Sequence, residues 1–207
     1  MTIVSELDRK RVADAIMSAE RKTSGEIVAV IAGESASYTY APFMWAAIAA
    51  LAVPFPLIFW TWWPIQHIYF LQLTVFAVLV VLFMYRPLRL ALVSKRVKKQ
   101  RAHRRAVEQF LTQNLHTMPS RTGVLIFVSV AERFAEIIAD AGINQKVPEG
   151  TWQRIVDDLT RAIGDGQAVD GFVRAIDAVG EQLARHFPPG SHDPNALANH
   201  LIVLPSE

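Results

Sequence analysis

The sequence predicts an α/β protein with a mixed sheet of about four strands, covered by helices and interrupted by a two-helix transmembrane hairpin. Three observations predict this class. The 51 residues between Glu34 and Arg86 contain no Asp, Glu, Lys or Arg, whereas a soluble domain has about a quarter of its residues charged. Short apolar runs of strand length flank this gap. Amphipathic segments of helical length accompany those runs.

The first flank, residues 1–40, supplies one helix and the first strand. Ser5 followed by Asp8 resembles a capping box, and "TSG" at 23–25 ends the helix. The run "EIVAVIAG" at 26–33 is typical of a strand that is buried on both faces. A single helix and strand are too little to fold alone, so this flank needs a partner elsewhere in the chain.

The uncharged segment, residues 41–86, is long enough for two membrane crossings, since one helix needs about 20 apolar residues. We place the helices at Phe43–Thr61 and Ile65–Tyr85. The second contains thirteen Leu, Ile, Val or Phe residues and is the stronger candidate. The first contains Pro54 and Pro56, so it is either kinked or only dips into the bilayer.

The turn between the two helices is rich in aromatic residues. Such side chains favour the level of the lipid headgroups, and a proline breaks the helix there. The residues predicted to form this interfacial turn are Trp60, Trp62, Trp63, Pro64 and Tyr69. Small residues at 46–52 allow close approach of another helix. The hairpin is therefore the predicted surface for another integral membrane protein or complex.

The second flank, residues 87–190, begins with a basic juxtamembrane helix that we predict to run from Pro87 to about Gln113. Two strands at 121–130 and 132–140 follow, and the tight turn between them predicts an antiparallel pair.

Two more helices complete this flank. "TWQRIVDDLTRAI" has apolar residues at helical spacing, and so does the segment that "FPPG" at 187–190 ends. Residues 191–207 form a C-terminal tail, in which "LIVL" predicts an edge strand.

The two flanks have to meet to form one sheet. The best partner for the strand at 26–33 is the apolar strand at 123–130. Both flanks must then lie on one side of the membrane, which requires an even number of crossings. We therefore predict two crossings, with the soluble domain and both termini on the same side.

Nine basic residues follow the second predicted crossing before any acidic residue. They are Arg86, Arg89, Lys95, Arg96, Lys98, Lys99, Arg101, Arg104 and Arg105. The positive-inside rule places this end in the cytoplasm, and the charges predict contact with anionic lipid headgroups of the bilayer. Nucleic acid is the competing interpretation, but no base-stacking aromatics interleave with the run, so we predict no nucleic-acid partner.

Four carboxylates are the candidate metal ligands. Asp140 ends a predicted strand, Glu136 shares its face, and Asp157 and Asp158 lie on the helix that follows. Strand ends are where α/β sheets commonly bind ligands. The alternative is that Glu136 faces solvent and the Asp pair forms a polar helix face. No glycine-rich phosphate loop or Ser-His-Asp arrangement identifies a catalytic residue, and the chain contains no cysteine.

Three stretches resemble the TPM domain family: "SGEIVAVIAG", "TGVLIFVSVAERFAEIIADAGINQKVPEGTWQRIVDDL" and "GFVRAIDAVGEQLARHFP". The resemblance covers residues 5–34 and 100–188. Within the family, the chain is similar to a bacterial membrane-protein branch with an inserted hairpin. It implies an α/β/α sandwich in the bacterial inner membrane. It also implies phosphatase activity with a divalent cation such as calcium or magnesium, as reported for plant relatives, or auxiliary roles beside large membrane complexes.

Because no catalytic constellation is evident, the first functional hypothesis is a membrane-anchored accessory, assembly or repair factor without catalysis. The alternative is a divalent-metal-dependent phosphatase, a hydrolase.

Overall fold

The computed structural model describes residues 5–117, 121–189 and 200–205, and the side chain of Arg86 lies outside that description. The chain divides into two compact units. Unit 1 combines Met1–Ala36 with Lys99–Glu207, and unit 2 is Ser37–Lys98. The sequence between the two pieces of unit 1 is thus an insertion.

Unit 1 is built on one four-stranded sheet. Its strands are β1 (Glu26–Ala32), β2 (Gly123–Ser129), β3 (Phe134–Ala139) and β4 (Leu201–Leu204). They lie in the order β3-β2-β1-β4. β1 pairs in parallel with β2 and β4, and β2 pairs antiparallel with β3. The predicted mixed sheet, the β1–β2 pairing and the edge strand in the tail are therefore confirmed.

The helices of the described residues follow in chain order. They are α1 (Glu6–Glu20), α2 (Tyr40–Ala52), α3 (Pro54–Trp60), α4 (Ile65–Met84), α5 (Arg86–Ala91), α6 (Lys95–Thr112), α7 (Ala141–Asn144), α8 (Thr151–Gly164) and α9 (Ala168–His186). A short 3₁₀ turn, Leu115–Thr117, precedes β2. The predicted cap of the first helix is present, since the Ser5 side chain accepts a hydrogen bond from the Asp8 N–H.

Both faces of the sheet are covered. Ile27, Ile31 and Ile126 belong to the core on the face covered by α1, α8 and α9. Val30 and Phe127 point the other way, into a core that includes Ala106 and Phe110 of α6. All seven residues of β1 are buried, and each buried Val or Ile contributes about 1.5–3 kcal/mol of apolar transfer free energy. The predicted α/β/α sandwich is confirmed.

The prediction of one long basic helix from Pro87 to Gln113 is wrong. The structure divides this segment into α5 and α6, with Leu92, Val93 and Ser94 between them. Ser94 begins the new helix, since its hydroxyl accepts from the Val97 N–H at 3.4 Å and its carbonyl accepts from the Lys98 N–H at 3.1 Å. A serine that bonds nearby backbone groups favours a helix start over a helix interior.

The strand predicted at 132–140 begins two residues later than expected. Arg133 has φ 50°, and its N–H donates to the Val130 carbonyl at 3.2 Å, so it belongs to the turn. Asp140, predicted as the strand's last residue, instead precedes the one-turn helix α7.

Unit 2 contains the two apolar segments of the predicted hairpin. Tyr40–Trp60 and Ile65–Met84 are helical runs of 21 and 20 residues, long and apolar enough to cross a membrane. At 1.5 Å per residue each extends about 30 Å. The first run is interrupted at Val53, because Pro54 and Pro56 lack the N–H groups that a helix interior needs.

Candidate functional site

The four predicted carboxylates have local partners. Asp140 accepts a hydrogen bond from the Ala141 N–H at 2.5 Å and so caps α7. Asp158 accepts from Arg161 one turn later on α8 at 2.8 Å. Asp157 accepts from the Gln153 side chain at 2.7 Å, and these bonds are of the kind that polar helix surfaces make.

Glu136 is the carboxylate with a partner on another element. It lies on β3 and contacts Nδ1 of His103 on α6, with both carboxylate oxygens at 2.9 Å. Glu136 is opposite Phe127 in the sheet, so it faces the α6 side. The sequence prediction missed this pair, since His103 lies within the basic run.

Glu136 and Asp157 line one groove of about 450 Å³. The groove follows β3 at the edge of the sheet, with Trp152 and Val156 of α8 among its walls and Lys99 and Arg133 also lining it. Asp140 is not among its lining residues, and Asp158 lines a different cavity beside α9. The structure therefore brings two of the four candidates to one place.

A divalent cation does not fit these carboxylates as they are arranged. Among residues 5–117, 121–189 and 200–205, no group of three His, Cys, Asp or Glu side chains is placed to hold a metal ion. Calcium and magnesium each take about six or more oxygen ligands, usually with carboxylates among them. Glu136 and Asp157 alone, one of them bonded to His103, do not supply such a set.

A second polar cluster lies where β1 and β2 end side by side. The Ser35 hydroxyl donates to the Ser129 hydroxyl at 2.6 Å, and the Ser35 N–H donates to Glu132 at 3.0 Å. The Ser129 hydroxyl in turn donates to Glu132. Both serines are buried, so these bonds supply the partners that buried hydroxyls need. The sequence offered one signal for this cluster: its residues lie at the carboxyl ends of two predicted strands, where α/β sheets commonly bind ligands.

A cavity of about 280 Å³ adjoins this cluster. Ser35 and Ala36 line it together with Arg101, Arg104, Arg105 and Glu108 of α6. Arg104 and Arg105 both donate to Glu108, at 3.2 and 3.4 Å. Three of the residues predicted to meet the membrane surface therefore lie beside the end of the sheet.

Comparison with known families identifies the fold of unit 1. The family model of the TPM domain matches residues 88–182. The chain contains a TPM domain. The chain is also similar to the NMR structure of the BA42 protein from the psychrophilic bacterium Bizionia argentinensis, with 19% identity, a TM-score of 0.61, and coverage of 97% of this chain and 95% of that one. No curated protein matches the chain.

The TPM match begins in α5 and ends in α9, so it includes β2 and β3. α1 and β1 lie before the insertion, yet they belong to the same compact unit and the same sheet. The sheet of this TPM domain is thus assembled from both sides of unit 2 in the sequence.

The remaining residues of the basic run lie nearer to α4 in the chain. Lys95, Arg96 and Lys99 are exposed, whereas Lys98 is half-buried and its ammonium donates to the Leu90 carbonyl at 3.1 Å. Arg89 is half-buried, and the side chain of Arg86 is not described. Contact of this run with lipid stays a prediction.

The aromatic turn is described as Thr61–Pro64, between α3 and α4. Trp60, Trp62, Trp63 and Tyr69 are all exposed, and Pro64 immediately precedes the first residue of α4. Their position at a headgroup boundary stays a prediction.

An apolar groove of about 260 Å³ lies between α2 and α4. Ala47, Ala50, Leu51, Leu73 and Phe76 are among its lining residues. Ala46 and Ala50 are buried. Some of the small residues that were predicted to contact a partner helix therefore pack within the hairpin itself.

One polar side chain, Gln72, also lines this groove. No residue in the described part of the chain forms a hydrogen bond with its carboxamide. Gln72 is the eighth residue of α4, about 10 Å along the helix axis from its start. A carboxamide at that depth would lie within the hydrocarbon core of a bilayer.

Proposed function

We propose that this protein is a membrane-anchored accessory, assembly or repair factor that associates with another integral membrane protein or complex, without catalysis of its own. The observation that carries the proposal is the groove of the hairpin with Gln72 in it. An unpaired amide in hydrocarbon costs several kcal/mol. A hydrogen bond to a neighbouring transmembrane helix removes that cost, and such bonds drive helix association in membranes.

The exposure of the hairpin supports the same function. Only 11% of the most apolar stretch of Tyr40–Trp60 and 6% of that of Ile65–Met84 are buried, so these helices differ from the buried core helices of a soluble protein. Apolar surface of this extent requires lipid or protein around it. We infer a bacterial inner-membrane protein whose TPM domain and termini are cytoplasmic, because the basic residues follow the second helix.

The function is tested by isolating the native protein in a mild detergent and measuring its mass. We expect a complex larger than the free chain. Gln72→Leu should release the partner, because it removes the amide and keeps the apolar volume. Thr74→Val is the matched control, since the Thr74 hydroxyl already donates to the Phe70 carbonyl at 2.8 Å. Recovery of the wild-type chain only as a free monomer would contradict the proposal.

Topology is tested separately with reporter fusions. Fusions after Gly33, within residues 62–64 and after Glu207 should report inside, outside and inside. Any other order contradicts the cytoplasmic placement.

A divalent-metal-dependent phosphatase is the alternative function. Its support is that Glu136 and Asp157 both line the groove at the edge of the sheet. If purified protein with added magnesium or calcium hydrolyses a phosphomonoester, and Asp157→Asn abolishes that activity, the alternative replaces the accessory role. No hydrolysis by the wild-type protein eliminates the alternative.

A further inference from the structure

The outer edge of β3 has backbone groups without partners. The Asp140 N–H donates to the Gly123 carbonyl at 3.0 Å, which fixes Asp140 and Gly123 as a hydrogen-bonded pair of the antiparallel ladder. Such pairs alternate along two antiparallel strands. Glu136 is then in a hydrogen-bonded pair, whereas Ala135, Ile137 and Ala139 direct their N–H and C=O groups away from β2.

A side-chain contact agrees with this alternation. The Asn144 amide donates to the Ala139 carbonyl at 2.9 Å, from outside the sheet. Asn144 thereby covers one end of the edge. In the described residues, Ala135 and Ile137 have no such cover, so two N–H and two C=O groups remain available there.

The groove beside these groups has the length and shape for an added strand. Phe134, Ala135, Glu136 and Ile137 line it consecutively, so it runs along the strand. On the side of the sheet that Ile137 faces, α8 supplies a wall that includes Trp152, whose indole N–H is already bonded to Asn144 at 3.0 Å. An added strand would place alternate side chains against that wall.

We propose that the β3 edge binds an extended segment of a partner protein as a fifth strand of the sheet. This inference rests on the proposed function, for which it supplies a second contact, on the soluble unit. Main-chain hydrogen bonds to Ala135 and Ile137 hold the segment, as in other cases of strand addition. In the bound segment, the residues opposite Ala135 and Ile137 are apolar and lie against α8. The residue opposite Glu136 is basic.

A second copy of the chain is a poor occupant of this edge. Antiparallel pairing of two β3 strands through Ala135 and Ile137 places Glu136 directly opposite Glu136, and like charges in that position are destabilising. A register shifted one way needs the Ala139 carbonyl, which Asn144 already occupies. The shift the other way needs Arg133, which has φ 50° and lies in the turn.

The test uses the full-length protein in detergent micelles and a capped synthetic pentapeptide with lysine at its centre, valine on each side of the lysine and threonine at each end. At millimolar peptide, hydrogen exchange of the Ala135 and Ile137 amides should slow, while exchange of the β4 amides should not change. A peptide with glutamate at the centre should bind about tenfold more weakly, which corresponds to about 1.4 kcal/mol. A peptide with N-methylated valines should give no protection.

The matched variants are Ala135→Pro and Glu136→Gln. Proline is tolerated in an edge strand where the N–H points outward, so Ala135→Pro should keep the fold and lose the peptide. Glu136→Gln should remove the preference for lysine over glutamate and retain binding. Absence of protection in the wild-type protein, unchanged affinity of Ala135→Pro, or a β3-dependent dimer of the free protein would each overturn the inference. The Gln72→Leu result does not depend on this edge, so the two proposals can fail separately.

Discussion

The contact between α1 and α9 depends on a glycine. A Cβ added at Gly180 would lie 2.7 Å from the Cβ of Ala19. Carbon atoms in ordinary contact are about 3.5–4.0 Å apart, so Gly180→Ala should force the two helices apart by roughly 0.8 Å or more. Overpacking of this kind costs about 1–3 kcal/mol.

The same substitution has an opposing effect on α9 itself. Replacing a glycine inside a helix by alanine gains up to about 1 kcal/mol in helix propensity. The net loss in the free energy of unfolding should therefore be about 0–2 kcal/mol. Gly164→Ala is the matched control, because Gly164 ends α8 and has no atom within 4 Å of an added Cβ. It should leave stability unchanged or raise it.

The assay is urea unfolding of both variants in the same detergent, followed by circular dichroism. We expect the free energy of unfolding of Gly164→Ala to exceed that of Gly180→Ala by up to about 3 kcal/mol, at an unchanged slope against urea. Ala19→Gly should be less harmful in the Gly180→Ala background than in the wild type, because it removes the clash. A Gly180→Ala variant that is more stable than Gly164→Ala would refute the reasoning.

Three further substitutions test the core, the strand-end cluster and a helix cap, each by the same urea assay. Ile126→Ala should cost about 2–5 kcal/mol, because Ile126 is fully buried in a central strand, whereas Val130→Ala at a 38% exposed position should change stability by less than about 0.5 kcal/mol. Ser129→Ala should cost about 1–3 kcal/mol, since it removes the partner of the Ser35 hydroxyl. Ser5→Ala should cost about 1 kcal/mol through loss of the α1 cap. For Ile126→Ala, Ser129→Ala or Ser5→Ala, a measured loss of stability below a tenth of the expected value would contradict the contact that the variant removes.

The elements with a strong local pattern could be predicted from the sequence. The run at 26–33 is apolar at every position but its ends, and a strand covered on both faces requires that. Trp152, Ile155 and Leu159 recur at helical spacing, so α8 was evident before its packing was known. The hairpin followed from the absence of charge, which is a property of composition alone.

The contacts that depend on the register of distant segments could not be predicted. Ser35 and Ser129 meet because β1 and β2 pair so that Ala32 lies opposite Ser129. No local pattern fixes that register across the insertion. The link between His103 and Glu136 likewise depends on how α6 lies over β3. The helix break at Ser94 was missed because good helix formers flank it, Leu90 and Ala91 before it and Lys95 and Arg96 after it, and one serine is a weak signal against them.

The position of the insertion has a consequence for the order of folding. Glu26 pairs with Gly123, so the whole of unit 2 is synthesised after β1 and before its partner strand. During that interval the six apolar residues of β1 have no neighbour in the sheet, and an unpaired apolar strand is prone to aggregation. Closing so long a loop is entropically costly and slow. A hairpin that has already formed its helices brings its two ends near each other, so early formation of this hairpin should accelerate folding of the sheet.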